Sequence, residues 1–358
     1  MPISTTQEQH LVDVTRGLSS LSLCMCSIVI ITQLSFRSLW TLSFQIVFAL
    51  VLNDMMFNTS FLYGDASNYG EESSMCQFQA FSVNYFLVCS IMWSCSASYL
   101  IDIVVSQSLQ TSQNRHDGFS PTILRRKMFV VCQLLPIIPS VMPMWFKAYG
   151  SSGVGWCWIK KGKGPNSEYE YIRLFSVYFW NWLAIFYCVC NYWKVSRAMR
   201  KLRENVDHHW RNDSPWKVLQ LYPFILIFCS IFATVDRFIG VFHQSPYWLK
   251  MMHAATQLTL GFWDSLLFLC NPIVLKEFRR KISEWGWVSD RSKTMILSAS
   301  LMQDSAVDGK SMSISHRDSD LTVHSHHLMS VDEMGLRKLS LLRQDSHIVK
   351  TDEKQEDA

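Results

Sequence analysis

Long apolar runs separated by short polar stretches fill residues 18–275, and beyond them the pattern stops. Seven of the runs hold roughly 20 or more mainly apolar residues, the length that carries a helix across a hydrocarbon core. They are Leu18–Phe36, Leu39–Tyr63, Met75–Val105, Met128–Phe146, Tyr171–Trp193, Val218–Phe242 and Trp248–Leu275. Only Arg37-Ser38 separates the first two, so they should form an antiparallel hairpin. In the sixth run the step from Lys217 to Arg237 covers about 30 Å at 1.5 Å per residue, one hydrocarbon thickness, which puts Arg237 at the far interface. The fold class expected is an all-α membrane protein, a seven-helix bundle.

After Leu275 the segment Lys276–Trp287 places Phe278, Ile282 and Trp285 at helical spacing between basic residues. That pattern reads as a short amphipathic helix on the inner membrane face. Residues 288–358 are rich in serine, aspartate and histidine without periodicity, and are expected to be a disordered cytoplasmic tail. The mean hydropathy of +0.09 averages over this split between membrane domain and tail. Within the tail, Arg337-Lys338-Leu339-Ser340 has the form that basophilic kinases favour, which makes Ser340 a candidate phosphorylation site. A solvated tail whose serines do nothing is the plainer alternative. The first apolar run is too long for a cleaved signal peptide and reads as a signal-anchor, with residues 1–17 a short amino terminus ahead of it.

Charge placement orients the bundle. One alternating set of loops holds Arg37, Arg115, Arg125, Arg126, Lys127, Lys194, Arg197, Arg200, Lys201, Arg203, Arg211, Lys217, Lys276, Arg279, Arg280 and Lys281. The other holds only Arg16, Lys147, Lys160, Lys161, Lys163 and Lys250. The richer set should be cytoplasmic, which leaves the amino terminus extracellular and makes a multi-pass protein of the plasma membrane, embedded in a lipid bilayer. Neither sequon, at Asn58 or Asn212, should then carry glycan, since one sits at a helix edge and the other inside the cell. The net charge of +4 is too small to suggest nucleic acid as a partner.

The eleven cysteines form no CxxC array, so no metal site is expected, and nothing calls for a cofactor. Cys76 and Cys157 flank apolar runs on the outer side, where an oxidising compartment permits a disulfide. Such a bridge would tie the loop between segments 4 and 5 over segment 3 as a lid; two free thiols are the alternative. Charged side chains within spanning helices are costly and tend to face the interior. Asp54 and Asp264 fall near mid-membrane and suit a shared polar network, with plain interhelical hydrogen bonding an equal reading. Asp236 and Arg237 project about 100° apart on a helix, so that one should face the cavity and the other snorkel. On the outer half Arg173, Arg237, Lys250 and His253 come from three helices, an arrangement that draws an anionic ligand if the cations converge. Pro223, in the first two turns of segment 6, removes a backbone hydrogen bond and allows a bend, a candidate switch beside a strongly basic loop.

Tyr222-Pro223, Cys229 and Thr234-Val235-Asp236-Arg237 in segment 6, Trp156-Cys157-Trp158-Ile159 in the lid loop, and Gly261-Phe262-Trp263-Asp264 with Leu266 and Phe268 in segment 7 share one frame. In order and spacing they resemble the cyclic-AMP receptor-like group of G-protein-coupled receptors, class E of the slime moulds, which neighbours the secretin-like receptors. The resemblance covers approximately residues 18–285. It implies a receptor that binds a small extracellular ligand in the outer half of the bundle and activates a heterotrimeric G protein. Arg237, Asp236, Arg173, His253, Lys250 and Trp158 would then hold the ligand, and Pro223, Asp54 and Asp264 would take part in switching. Arg125, Arg126, Arg197, Arg200, Lys201 and Lys217 would meet the G protein, while kinases and arrestin-like proteins would act at the tail. Asp264 stands where the group is expected to have Asn, and segment 3 ends in Tyr99-Leu100-Ile101-Asp102 rather than the D/E-R-Y of rhodopsin-like receptors. The amino terminus is too short for a secretin-type hormone-binding domain.

A seven-helix transporter or channel is the alternative, although the halves show no internal repeat. A retinal protein needs a lysine deep in segment 7, and none lies between Lys250 and Lys276. An enzyme is disfavoured, because no nucleophile, base and orienting residue assemble in a recognisable motif.

Overall fold

The computed structural model describes residues 5–63, 73–109, 120–160, 162, 167–205, 220–243 and 245–284. Packing divides the chain into residues 1–37 with 42–278, and residues 38–41 with 279–358. In the second unit the described parts are the short turn at 38–41 and helical residues 279–284. The first unit is a helical bundle.

Its elements, in order, are α1 (Thr5–Ser35), α2 (Leu42–Ser60), α3 (Ser74–Leu109), α4 (Pro121–Leu134), α5 (Ile137–Trp145), a β1–β2 hairpin (Tyr149–Ser151 and Cys157–Ile159), α6 (Glu168–Arg173) and α7 (Phe179–Asn205). Then follow α8 (Tyr222–Phe242), α9 (Tyr247–Leu258), α10 (Leu260–Leu269) and α11 (Pro272–Glu284), of which only the residues up to Phe278 belong to this unit. Among the described residues six helical stretches are long and apolar enough to cross a membrane, and the bent stretch that begins at Tyr247 makes seven if it is taken as one span. The protein is a multi-pass membrane protein. Outward-facing Ile31, Phe129, Ile138, Phe186, Phe228 and Phe238 carry the apolar surface that lipid would cover.

Local chemistry accounts for the breaks. The α4–α5 span is interrupted around Leu135-Pro136, where proline has no N–H to give the helix ladder. Segment 5 changes pitch in a π turn, Leu174–Tyr178, which joins α6 to α7. At Gly261 a Cβ would lie 2.9 Å from both Asp54 Cβ and Cys26 Sγ, so only glycine lets α10 approach α1 and α2 this closely. α3 runs through the middle and meets α2, α5, α7, α8 and both hairpin strands.

Two expectations about elements need correction. α1 starts at Thr5, well before Leu18, because Leu11, Val12, Thr15 and Ser19 are buried in the bundle instead of trailing outside it. Pro223 does not interrupt the sixth span, since it occupies the first turn of α8, where a missing N–H breaks no ladder bond.

Candidate ligand-binding site

The hairpin closes one end of the bundle. Tyr149 pairs with Ile159 and Ser151 with Cys157, and the turn between them uses Gly153 and Gly155 at positive φ. At Gly155 a Cβ would also run into Val12, so the turn packs against α1 only as glycine. Cys157 is disulfide-bonded to Cys76 at the start of α3, with Cα atoms 5.3 Å apart. The Cys157 N–H donates to Gln79 Oε1 (3.0 Å), and Gln79 Nε2 donates to the Ser60 carbonyl (2.9 Å), so strand β2 is stitched to α3 and α2. On the other side the Tyr149 hydroxyl donates to the Ser140 carbonyl of α5 (2.7 Å). Burial raises the Tyr149 phenol above its ordinary range, so it stays a donor. These contacts fix the lid to the bundle.

Beneath it lies a cavity of about 260 Å³. Leu11, Phe57, Phe61, Val83 and Leu87 form an apolar wall, while Arg173, Tyr178, Asp236, Arg237 and His253 supply polar groups opposite. An apolar cleft with a few converging polar side chains is the usual form of a small-molecule site.

Arg237 is the hub of the polar side. Its guanidinium lies 5.2 Å from the Trp158 ring centroid and 5.8 Å from that of Tyr178. Nε donates to the Tyr178 hydroxyl (3.2 Å), and Nη2 approaches Asp236 Oδ2 at 3.6 Å. His253 Nδ1 meets the same carboxylate oxygen at 2.8 Å, and its Nε2 lies 3.3 Å from the Tyr178 hydroxyl. Asp236 and Arg237 thus share one cluster. The expected division, with one in the cavity and the other snorkelling, is not what forms, because both residues line the cavity.

Arg173 lines the cavity and also holds the lid. It is 5% exposed, pairs with Glu170 (2.8 Å), and donates from Nη2 to the backbone carbonyls of Ile159 (2.6 Å) and Lys160 (3.2 Å). Its role in this arrangement is to clasp the lid to α6. Lys250 lines the cavity too. Trp158 faces Arg237 with its ring and donates through Nε1 to Asn84 Oδ1 (3.2 Å), while Asn84 donates to Ser140 Oγ (3.3 Å).

Deeper in the bundle Asp54 and Asp264 are neighbours, each 1% exposed. The Ser90 hydroxyl donates to Asp54 Oδ1 (2.5 Å), and the Asp54 and Asp264 carboxyls hydrogen-bond to each other. At the opposite end Lys194 pairs with Asp102 (2.8 Å), Asn191 donates to the Ser98 carbonyl (2.9 Å), and Arg125 donates to Gln45 (3.2 Å). Arg126 and Arg200 are exposed, and Arg197 stacks 3.6 Å from the Trp193 ring centroid. Pro223 lines a small apolar cleft there with Tyr192, Phe224 and Ile227. The Lys201 side chain, Lys217, Ser340, Lys161, Lys163, Asn212 and Trp285 lie outside the described residues.

A family model described as slime mold cyclic AMP receptor matches residues 5–295. The chain belongs to that family. Among curated proteins it is similar to G-protein coupled receptor 1 of Arabidopsis thaliana, 24% identical over 286 residues, a match spanning 75% of this chain and 80% of that protein. It is similar as well to Cyclic AMP receptor 2 of Dictyostelium discoideum, 22% identical over 216 residues, and to Cyclic AMP receptor 1 of the same organism, 22% over 236. Those matches cover 59% and 62% of this chain, and 53% and 54% of the two Dictyostelium receptors. The relatives are named as receptors, not enzymes, in agreement with the seven-helix frame.

Tyr178 and Asn84 are the members of the site that sequence reasoning missed. Asn84 was visible only as one polar residue among several in apolar runs. Tyr178 gave no signal, since an α-helix would turn it about 140° away from Arg173, five residues earlier. The π turn between them closes that angle.

Proposed function

We propose that this chain is a plasma-membrane G-protein-coupled receptor, with its amino terminus outside and its tail in the cytoplasm, that binds a small anionic ligand under the lid. The observation that carries this reading is Arg237, a cavity-facing guanidinium on an aromatic platform below a disulfide-fixed hairpin. Guanidinium is the side chain best suited to a carboxylate or phosphate, and the apolar wall opposite suits a flat organic body. Cyclic AMP, which gives the Dictyostelium relatives their names, has both parts and is the first ligand to test.

Ligand at Arg237 would act on three helices together, because Tyr178, Arg237 and His253 come from the fifth, sixth and seventh spans. A ligand shifts the balance between two packings only as far as it binds one better than the other. The inner ends of the same helices, with Arg197, Arg200, Lys201 and Lys217 and the Arg125-Arg126 pair, would meet the heterotrimeric G protein. The Lys194–Asp102 pair between the third and fifth spans stabilises the packing with those ends together. Kinases acting at Ser340 and arrestin-like proteins would follow at the tail.

The test is a dose-response assay of G-protein nucleotide exchange in membranes containing the full-length chain. A saturable response to cyclic AMP, lost in the Arg237→Ala variant, supports the reading. No response to cyclic AMP or to a panel of small anions, together with no constitutive exchange, contradicts it.

A further inference from the structure

Asp236 and Arg237 are adjacent, opposite in charge and in one cavity, yet they do not close on each other. Asp236 Oδ2 takes its short contact, 2.8 Å, from His253 Nδ1, while Arg237 Nη2 stands off at 3.6 Å, beyond a good hydrogen bond. The Ser245 hydroxyl also holds this stretch, donating to the Asp236 backbone carbonyl (2.9 Å).

Donor and acceptor roles follow round the cluster. An imidazole nitrogen facing a carboxylate carries the proton, so His253 Nδ1 donates and Nε2 accepts. The Tyr178 hydroxyl, 3.3 Å from Nε2, is then the donor there, and its oxygen accepts from Arg237 Nε at 3.2 Å. Every bond runs in one direction, from Arg237 through Tyr178 and His253 to Asp236. This anchors Arg237 by Nε and leaves Nη1 without an acceptor among the described residues.

We propose that His253 and Tyr178 are positioning residues: His253 holds the Asp236 carboxylate away from Arg237, and Tyr178 orients the guanidinium, so that Arg237 is presented to an anionic group in the cavity. The proposal rests on reading Arg237 as the anchor of the ligand. It assigns His253 a contact with Asp236 in place of one with the ligand. If the imidazole is removed, the carboxylate should turn onto the guanidinium, and the anion site should fill with the protein's own aspartate.

The experiment uses the purified full-length protein and two readouts. The first needs no ligand: the rate at which phenylglyoxal modifies Arg237, followed by peptide mass spectrometry. His253→Phe, which keeps the ring's bulk, should slow it about tenfold, the effect of roughly 1.4 kcal/mol of new pairing. Adding Asp236→Asn to that variant should restore the rate to near wild type, and His253→Gln, which keeps a donor, should lose little. The second readout is cyclic AMP affinity, expected to fall and recover in the same pattern. A merely structural role for His253 would give losses that accumulate in the double variant, and that result overturns the proposal. So does an unchanged rate in a His253→Phe protein that is folded by thermal unfolding. If the phenylglyoxal pattern appears but wild type does not bind cyclic AMP, the positioning role stands and the choice of cyclic AMP as ligand fails.

Discussion

The Arg237 guanidinium lies 5.2 Å from the centroid of the Trp158 ring, and the Trp158 indole N–H is held by Asn84 at 3.2 Å. The lid thus supplies the surface on which the cation rests, and α3 fixes the angle of that surface. Trp158→Phe keeps an aromatic face but drops the Asn84 bond, so about 1 kcal/mol of stability should be lost while ligand binding survives. Trp158→Ala removes the platform and should weaken binding about tenfold or more. Thermal unfolding and ligand titration of the two purified variants separate these outcomes.

The Cys76–Cys157 bond closes a separation of 81 residues and pins the lid to α3. Cys76→Ser should lower stability by about 2–4 kcal/mol, and the Cys76→Ser/Cys157→Ser double variant should lose no more than the single one. Ligand affinity should fall with it, as measured before and after mild reduction of the wild type. Full affinity in the reduced protein would mean that the lid needs no bridge.

Lys194 and Asp102 form an ion pair in which Lys194 is 62% exposed. Solvent screens such a pair, so Asp102→Asn should change stability by less than about 1 kcal/mol. Its effect should fall on switching: constitutive G-protein nucleotide exchange should rise as the third and fifth spans lose a contact. Exchange equal to wild type would leave the pair without that role.

Asp264 and Asp54 are buried carboxyls hydrogen-bonded to each other, which requires a shared proton. Asp264→Asn supplies a permanent amide donor to Asp54 in place of that proton. The variant should unfold at a higher temperature than wild type, by roughly 1 kcal/mol in stability. A lower unfolding temperature would indicate that the acidic pair is needed for the packing of α10 on α2.

Much of the bundle was legible in the sequence because a bilayer demands runs of about 20 apolar residues, and that demand leaves a strong periodic trace. Cys76 and Cys157 were legible for a similar reason, as thiols bordering those runs on the side that loop charge predicts to be outside. The amino-terminal part of α1 was hidden because Thr15 and Ser19 are polar yet buried, and Val12 packs on the lid glycine instead of lipid. Arg173 lines the cavity as expected, but its bonds to the backbone carbonyls of Ile159 and Lys160 are something no residue pattern reveals. The ring of Arg237, Tyr178, His253 and Asp236 depends on a π turn and on a tautomer, and both are settled only when three helices meet.

Equilibrium binding of cyclic AMP to the purified full-length protein, wild type against Arg237→Ala, tests the central claim most directly. The arginine-centred site predicts saturable binding to wild type and a loss of at least about 30-fold in the variant, the equivalent of roughly 2 kcal/mol for a charge-assisted contact. Equal affinity in a folded Arg237→Ala protein would contradict it.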